Sequence, residues 1–173
     1  MLGVPGLDPF GLFHAILGLV ALLLGLAILL QRKGTRRHRQ LGYAYVGTML
    51  LLNGSALAIY DLNGRFGPFH VGAVISLASV AAGLIPVMLR VPSRNWLRVH
   101  AETITWSYVG LVAAFLSEIA VRLPGSNVAL GAMVGTAIAM AGGAVLIRRY
   151  VPRVVCQVRT VRRESPPPAL ERQ

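Results

Sequence analysis

Long apolar segments separated by short polar stretches dominate the pattern of this chain. A helix needs about 20 apolar residues to cross the hydrocarbon core of a bilayer. Five segments are that long: Phe10–Leu30, Leu41–Tyr60, Val71–Leu89, Ala101–Val121 and Val128–Ile147. Because a helix satisfies its own backbone polar groups in lipid, the pattern predicts an all-α integral membrane bundle of five transmembrane helices.

The composition of the chain changes from apolar to basic after the fifth segment. We expect residues 1–150 to form the transmembrane domain and residues 151–173 to form a basic, proline-containing cytoplasmic tail that is partly disordered. Within that tail, we expect Val151–Val161 to form a short amphipathic element that lies along the lipid headgroups. The mean hydropathy of +0.64 agrees with a membrane protein.

The basic residues are distributed unequally over the predicted loops, although the net charge is +11. Loops one and three and the tail hold nearly all of them, whereas Arg65 and Arg122 stand alone in loops two and four. This positive-inside bias predicts an outside N-terminus and a cytoplasmic C-terminus in a bacterial inner membrane. It also indicates contacts with lipid headgroups and argues against a nucleic-acid partner.

Each of the first four apolar segments begins with or follows one histidine, and the chain has no others. They are His14, His38, His70 and His100. Because successive spans alternate in direction, we expect His14 and His70 near the outer membrane face and His38 and His100 near the inner face. Spans one and three, and spans two and four, are diagonal neighbours in such a bundle. The pattern therefore predicts two facing pairs of imidazoles.

Facing imidazoles suit a haem or a metal ion, since neutral histidine is a common metal ligand. Our leading hypothesis is a membrane redox protein that binds haem b through the pairs His14/His70 and His38/His100. Gly18, Ala21 and Gly25 would leave room for the macrocycle on the face of His14. The basic loops would bind the propionates.

Residues about five turns apart share a helix face, which extends each pair into a possible site for a bare ion. Glu118 follows His100 and Met88 follows His70 at this spacing. An outer set of His14, His70 and Glu118 would suit iron or zinc, and an inner set of His38, His100 and Met88 would suit copper.

Glu118 also has a purely structural interpretation. It lies within an apolar span, where a carboxylate needs a partner or a proton, and Arg122 is four residues away. Tyr45 has two interpretations as well. It shares a face with His38, but its position near a span end favours membership of the interfacial aromatic belt.

The fifth segment carries small residues in place of histidine. Gly131, Gly135, Ala139 and Gly143 recur at four-residue spacing, which lets helices approach closely. Packing within the bundle is the simpler interpretation. Self-association or docking to a larger complex would make the protein a non-catalytic accessory subunit or assembly factor.

The stretch from Lys33 to Gly42 reads K-G-T-x-x-H-R-x-x-G, and His70, His100, Ser107–Leu111, Glu118 and Arg122 follow it. Over roughly residues 10–123 this resembles an uncharacterised family of small bacterial integral membrane proteins, a predicted membrane domain of unknown function. The resemblance implies a four-helix unit, here with a fifth helix appended, and supplies no activity. The paired histidines are also similar in layout to diheme b-type membrane cytochromes, without a shared local motif.

Overall fold

Five α-helices make up the computed structural model, which describes residues 9–59, 66–91, 95–122 and 128–164. They are α1 Pro9–Leu30, α2 Arg36–Ala58, α3 Pro68–Leu89, α4 Trp96–Arg122 and α5 Val128–Glu164. All five are long and apolar enough to cross a membrane. In the apolar 18-residue stretch of each span, at most 33% of the residues are buried. The predicted all-α membrane fold is confirmed, and most of its apolar surface faces outward as lipid contact requires.

Local sequence signals explain where the helices begin and end. Thr35 caps α2 by accepting a hydrogen bond from the backbone N–H of His38 at 3.1 Å. Gly34, just before that cap, has φ +79°, a conformation that glycine adopts without strain. Pro68 occupies the first turn of α3, where its missing N–H costs nothing. Arg90, in the left-handed region at φ 57°, ends α3.

The first four helices form a ring in chain order. α1 packs on α2, α2 on α3 and α3 on α4, and a smaller α1–α4 contact closes the ring. α1 and α3 are therefore diagonal, as are α2 and α4. The core of this ring is a cluster of apolar side chains from all four helices: Ala21, Ile28, Tyr45, Met49, Leu52, Val80 and Leu111.

Among the described residues, the extended packing of α5 is with α4, along the most extensive helix–helix interface of the protein, and the hydroxyl of Tyr150 donates to the carbonyl of Leu29 on α1 at 2.6 Å. It continues unbroken past the predicted boundary at residue 150 as far as Glu164. Val151, Val154 and Val155 are buried, so this stretch belongs to the packed domain and is not a separate element lying on the headgroups. The prolines beyond Glu164 lie outside the described residues.

Pro86 stands inside α3 without ending it. A proline inside a helix favours a kink or an early end, yet α3 runs three residues further, to Leu89. A proline removes the backbone donor for the carbonyl four residues earlier, here that of Ala82. Transmembrane helices tolerate such a loss when neighbouring groups satisfy the backbone. The next carbonyl along the helix, that of Gly83, accepts a hydrogen bond from Nδ1 of His100.

Candidate functional site

A hydrogen bond across the middle of the ring joins the diagonal helices α2 and α4. The hydroxyl of Tyr45 lies 3.1 Å from Oγ of Ser107, and both residues are buried. Ser107 Oγ already donates its hydrogen to the carbonyl of Ile104 at 2.8 Å, so the phenol of Tyr45 is the donor. Tyr45 thus lines the interior, and its assignment to the aromatic belt is wrong.

His38 and His100 occupy equivalent positions relative to this bond. Each precedes its partner in the Tyr45–Ser107 pair by seven residues on the same helix. Seven residues are about two turns, so each histidine shares a face with that partner, about 10 Å nearer the arginine-rich end. His38 and His100 also lie close enough to interact electrostatically. The structure therefore brings the predicted inner pair to one end of the interior.

The ring of His100 is held in a defined tautomer. Its Nδ1 lies 2.8 Å from the carbonyl oxygen of Gly83 on α3, and a carbonyl can only accept. Nδ1 therefore carries the hydrogen, and Nε2 of the neutral ring carries a lone pair. Histidines that ligate metals commonly donate their other ring N–H to a backbone carbonyl in this way.

His38 faces the same interior from the first turn of α2. The Thr35 cap fixes the start of this helix and hence the position of the histidine. Its Nδ1 is buried and forms no hydrogen bond with any residue that the structure describes. A buried polar atom without a partner is uncommon in native proteins and often indicates a functional role.

Lys33 places a third basic group at this end. Its ammonium donates to the carbonyl of Ile28, to that of Leu29 at 3.0 Å and to that of Gln31 at 2.9 Å, which caps α1. It also lies 5.5 Å from the ring centroid of Tyr150 on α5. Burial lowers the pKa of Lys33 to about 8. Lys33 lies within electrostatic range of His38.

The opposite end of the bundle holds the other two histidines, with different ring states. Nδ1 of His14 lies 2.8 Å from Oγ of Ser55, whose hydrogen goes to the carbonyl of Leu52. His14 is therefore the donor and carries its hydrogen on Nδ1.

His70 holds the reverse tautomer, because its Nδ1 accepts a hydrogen bond from the backbone N–H of Gly67 at 3.1 Å. The ring caps α3 and stacks against Phe66 with centroids 5.0 Å apart. Its neutral form then carries the hydrogen on Nε2. The predicted outer pair His14/His70 thus combines two unlike rings. His70 would have to give up its capping bond before either nitrogen could bind a metal.

The remaining predicted ligands do not gather around the histidines. Met88 is 69% exposed, so its expected place in the inner set is wrong. Its neighbour Leu89 is exposed as well, because α3 extends beyond the packed interior. Glu118 is half-buried and has an interaction partner, while the side chain of Arg122 lies outside the described residues. Within the described part of the chain, no three His, Cys, Asp or Glu side chains are placed to hold a metal ion.

The small-residue face of α1 is filled by protein. The ring of Tyr108 on α4 lies directly against Gly25, where a Cβ would stand 3.3 Å from its Cγ and nearer to two other ring atoms. Ala21 is fully buried on the same face. The space expected to admit a macrocycle beside α1 is therefore taken by Tyr108.

The glycine stripe of α5 packs inside the bundle. A Cβ on Gly131 would stand 3.0 Å from Ala120, and one on Gly135 would stand 3.3 Å from the backbone of Leu116. Gly143 lies against Val109, and Ala139 is buried. The interpretation as packing is correct. The stripe is not available to a partner complex or a second copy, because α4 covers it.

Sequence reasoning missed two of the polar contacts. The Gly83 acceptor of His100 carries no sequence signal, because any backbone carbonyl can accept. Ser107 does carry one, since it follows His100 at the same spacing as Tyr45 follows His38. Comparing the two helices would have identified the pair.

These features define a small multi-pass helical membrane protein with histidines from diagonal helices directed into its bundle. The family model described as "Predicted membrane protein (DUF2306)" matches residues 11–156, and the chain belongs to that family of unknown function. The match includes all four histidines and most of α5, which the earlier resemblance had treated as an appendage. No curated protein and no solved structure matches the chain.

Proposed function

We propose that this protein is a membrane redox protein that holds a transition-metal centre between His38 and His100, either the iron of haem b or a bare ion. The observation that carries the proposal is the state of the two rings. His100 donates from Nδ1 to the carbonyl of Gly83 and keeps a lone pair on Nε2. His38 has a buried ring nitrogen that makes no hydrogen bond to the described residues.

Both features favour metal ligation over a structural role. A backbone carbonyl behind a ligating imidazole fixes its tautomer and raises its basicity. A purely structural histidine in an apolar interior would be expected to use its buried nitrogens in hydrogen bonds. Two imidazoles from diagonal helices would hold one metal ion or haem iron between them. The basic residues of loop one lie at the same end for the propionates of a haem.

The tautomers of the rings favour the inner pair over the outer pair. The Nδ1 atom of His70 is used as the cap of α3. Tyr108 fills the face of α1 below His14. We therefore propose one centre at His38 and His100 and place none at His14 and His70. The accessory-subunit hypothesis loses its motivation, because the glycine stripe packs on α4.

The test is the visible spectrum and metal content of the full chain, purified in a mild detergent after expression with a haem precursor and trace metals. We expect either a Soret band that shifts on reduction with dithionite or about one iron or copper per chain without that band. His38→Ala and His100→Ala should each abolish the signal. His14→Ala is the matched control and should keep it.

Three results would overturn the proposal. The first is a protein with neither haem nor metal after incubation with haemin, Fe²⁺ and Cu⁺. The second is a centre that His14→Ala removes while His38→Ala spares it. The third is stoichiometric zinc alone, which would exclude the redox role. Elution volume on size exclusion separates a lost site from a misfolded variant, and His38→Gln provides a milder second variant.

A further inference from the structure

A groove separates the start of α4 from the last turns of α5, at the end of the bundle that carries most of the arginines. It has a volume of about 430 Å³. Its lining includes Asn95 and Arg98 from the α4 side, and Pro152, Val155 and Arg159 from α5. It is distinct from the interior between the diagonal helices, and the inference drawn from it is independent of the metal proposal.

The groove combines a cationic rim with an apolar floor. Arg98 and Arg159 contribute guanidinium groups, and Asn95 adds an amide. Among the residues that the structure describes, no acidic side chain lines it. Val155 and Pro152 form the apolar part, and Val155 belongs to the packed cluster between α4 and α5, so the floor is held in place by the fold.

Glu102 holds the side chain of Arg98 in one orientation, and other N–H donors of the guanidinium are left for a ligand. Its Nε donates to Oε1 of Glu102 at 2.7 Å, one turn further along α4. A guanidinium has five N–H donors, and this bond uses only the one on Nε. The terminal amino groups can therefore form the paired hydrogen bonds with which arginine recognises phosphate oxygens.

The length of α5 places the groove near the headgroups. The candidate span Leu130–Thr160 has 31 residues, and at about 1.5 Å per residue it is about 46 Å long. The hydrocarbon core is about 30 Å thick, so one end of the span must pass through the headgroup layer. Arg159 lies at the basic end, level with the start of α4.

From these observations we infer that the groove binds the phosphate of an anionic glycerophospholipid, with an acyl chain lying over Val155 and Pro152. The arginines recognise the phosphate, and the apolar floor supplies the surface that a chain prefers. Basic pockets between transmembrane helices are known sites for acidic headgroups. A soluble phosphate compound would satisfy the arginines but not the floor.

The test is native mass spectrometry of the full chain released from detergent, with added dioleoyl-phosphatidylglycerol or dioleoyl-phosphatidylcholine. Detergent removes the surface potential of a bilayer, so retained lipid reports a specific site. We expect the phosphatidylglycerol adduct to exceed the phosphatidylcholine adduct. Arg159→Gln should weaken the phosphatidylglycerol adduct about tenfold, as loss of charge-assisted hydrogen bonds does.

The matched control is Arg153→Gln, which removes the same charge from an exposed position on the same helix, outside the groove lining. It should leave the adduct unchanged. Equal losses in the two variants, or equal retention of the two lipids, would overturn the inference. Competition with inorganic phosphate at millimolar concentration distinguishes a lipid site from a site for soluble phosphate. If it displaces the lipid completely, the groove is a site for soluble phosphate and the lipid assignment fails; persistence of the adduct supports the lipid.

Discussion

Removing the hydroxyl of Tyr45 and removing that of Ser107 should have unequal costs, although both changes break the same hydrogen bond. Tyr45→Phe leaves Ser107 Oγ still donating to the carbonyl of Ile104 at 2.8 Å. No buried donor loses its acceptor. We therefore expect the unfolding free energy to fall by about 0.5–1.5 kcal/mol, the usual net value of one hydrogen bond.

Ser107→Ala instead leaves the hydroxyl of Tyr45 without its acceptor, in a residue that is only 1% exposed. A buried donor without an acceptor costs about 1–3 kcal/mol. In the double variant the phenol is gone as well, so its cost should fall below the sum of the two single changes. Interhelical hydrogen bonds in membranes average about 0.6 kcal/mol in such cycles, and we expect a coupling energy of about 0.5–1 kcal/mol.

The assay is equilibrium unfolding by sodium dodecyl sulfate added to dodecyl maltoside micelles, followed by tryptophan fluorescence. Trp96 and Trp106 both lie on α4, the helix that contributes Ser107. The control is Tyr43→Phe, which removes the same hydroxyl from a side chain that is 68% exposed. It should change the stability by less than about 0.5 kcal/mol.

Two outcomes would refute this reasoning. One is a coupling energy of zero, which would mean that α2 and α4 do not meet across the ring at this level. The other is a greater loss from Tyr45→Phe than from Ser107→Ala, which would mean that the serine is the donor. The first result would also contradict the placement of His38 and His100, because that placement is inferred from this bond.

The other two predictions use the same unfolding assay. Gly143→Leu should destabilise the protein by about 1–3 kcal/mol through overpacking, since a Cβ there would stand 2.5 Å from Cγ2 of Val109. Gly142→Leu, one residue away with open space around its Cα, should be neutral or slightly stabilising, and equal effects would contradict the α4–α5 packing. His70→Ala should lose about 1 kcal/mol with the cap on Gly67, whereas His70→Gln should retain most of it, since glutamine fills this capping position in other helices. If the two His70 variants are equally unstable, the ring has another role.

The apolar pattern was sufficient to predict the spans and their neighbours. Its reliability comes from the bilayer, which forces each long apolar segment into a helix and makes consecutive helices antiparallel. That alternation places His38 and His100 at the same end, and the packing of the helices in chain order places them on diagonal helices. The resemblance of the chain to a membrane family of unknown function was also confirmed.

Finer assignments depended on contacts that a periodicity cannot locate. Met88 was expected inside because it shares a helix face with His70, but the packed interior ends before the last turn of α3. Tyr45 was assigned to the interface from its sequence position, yet its hydroxyl hydrogen bonds to Ser107 inside the bundle. The glycine stripe of α5 suited a partner helix equally well, and only the packing shows that α4 is that partner.

The sequence by itself determined that this chain forms five membrane helices, that its histidines fall into two pairs near opposite ends of the spans, and that one end is basic. These properties depend on residue type and spacing along one helix at a time. Only the tertiary structure decided what each imidazole does. His70 accepts from its own helix start, His14 donates to Ser55, and His100 donates to a backbone carbonyl of another helix. The reason is physical: imidazole can donate or accept at the same nitrogen, so its role is set by the atom placed opposite it.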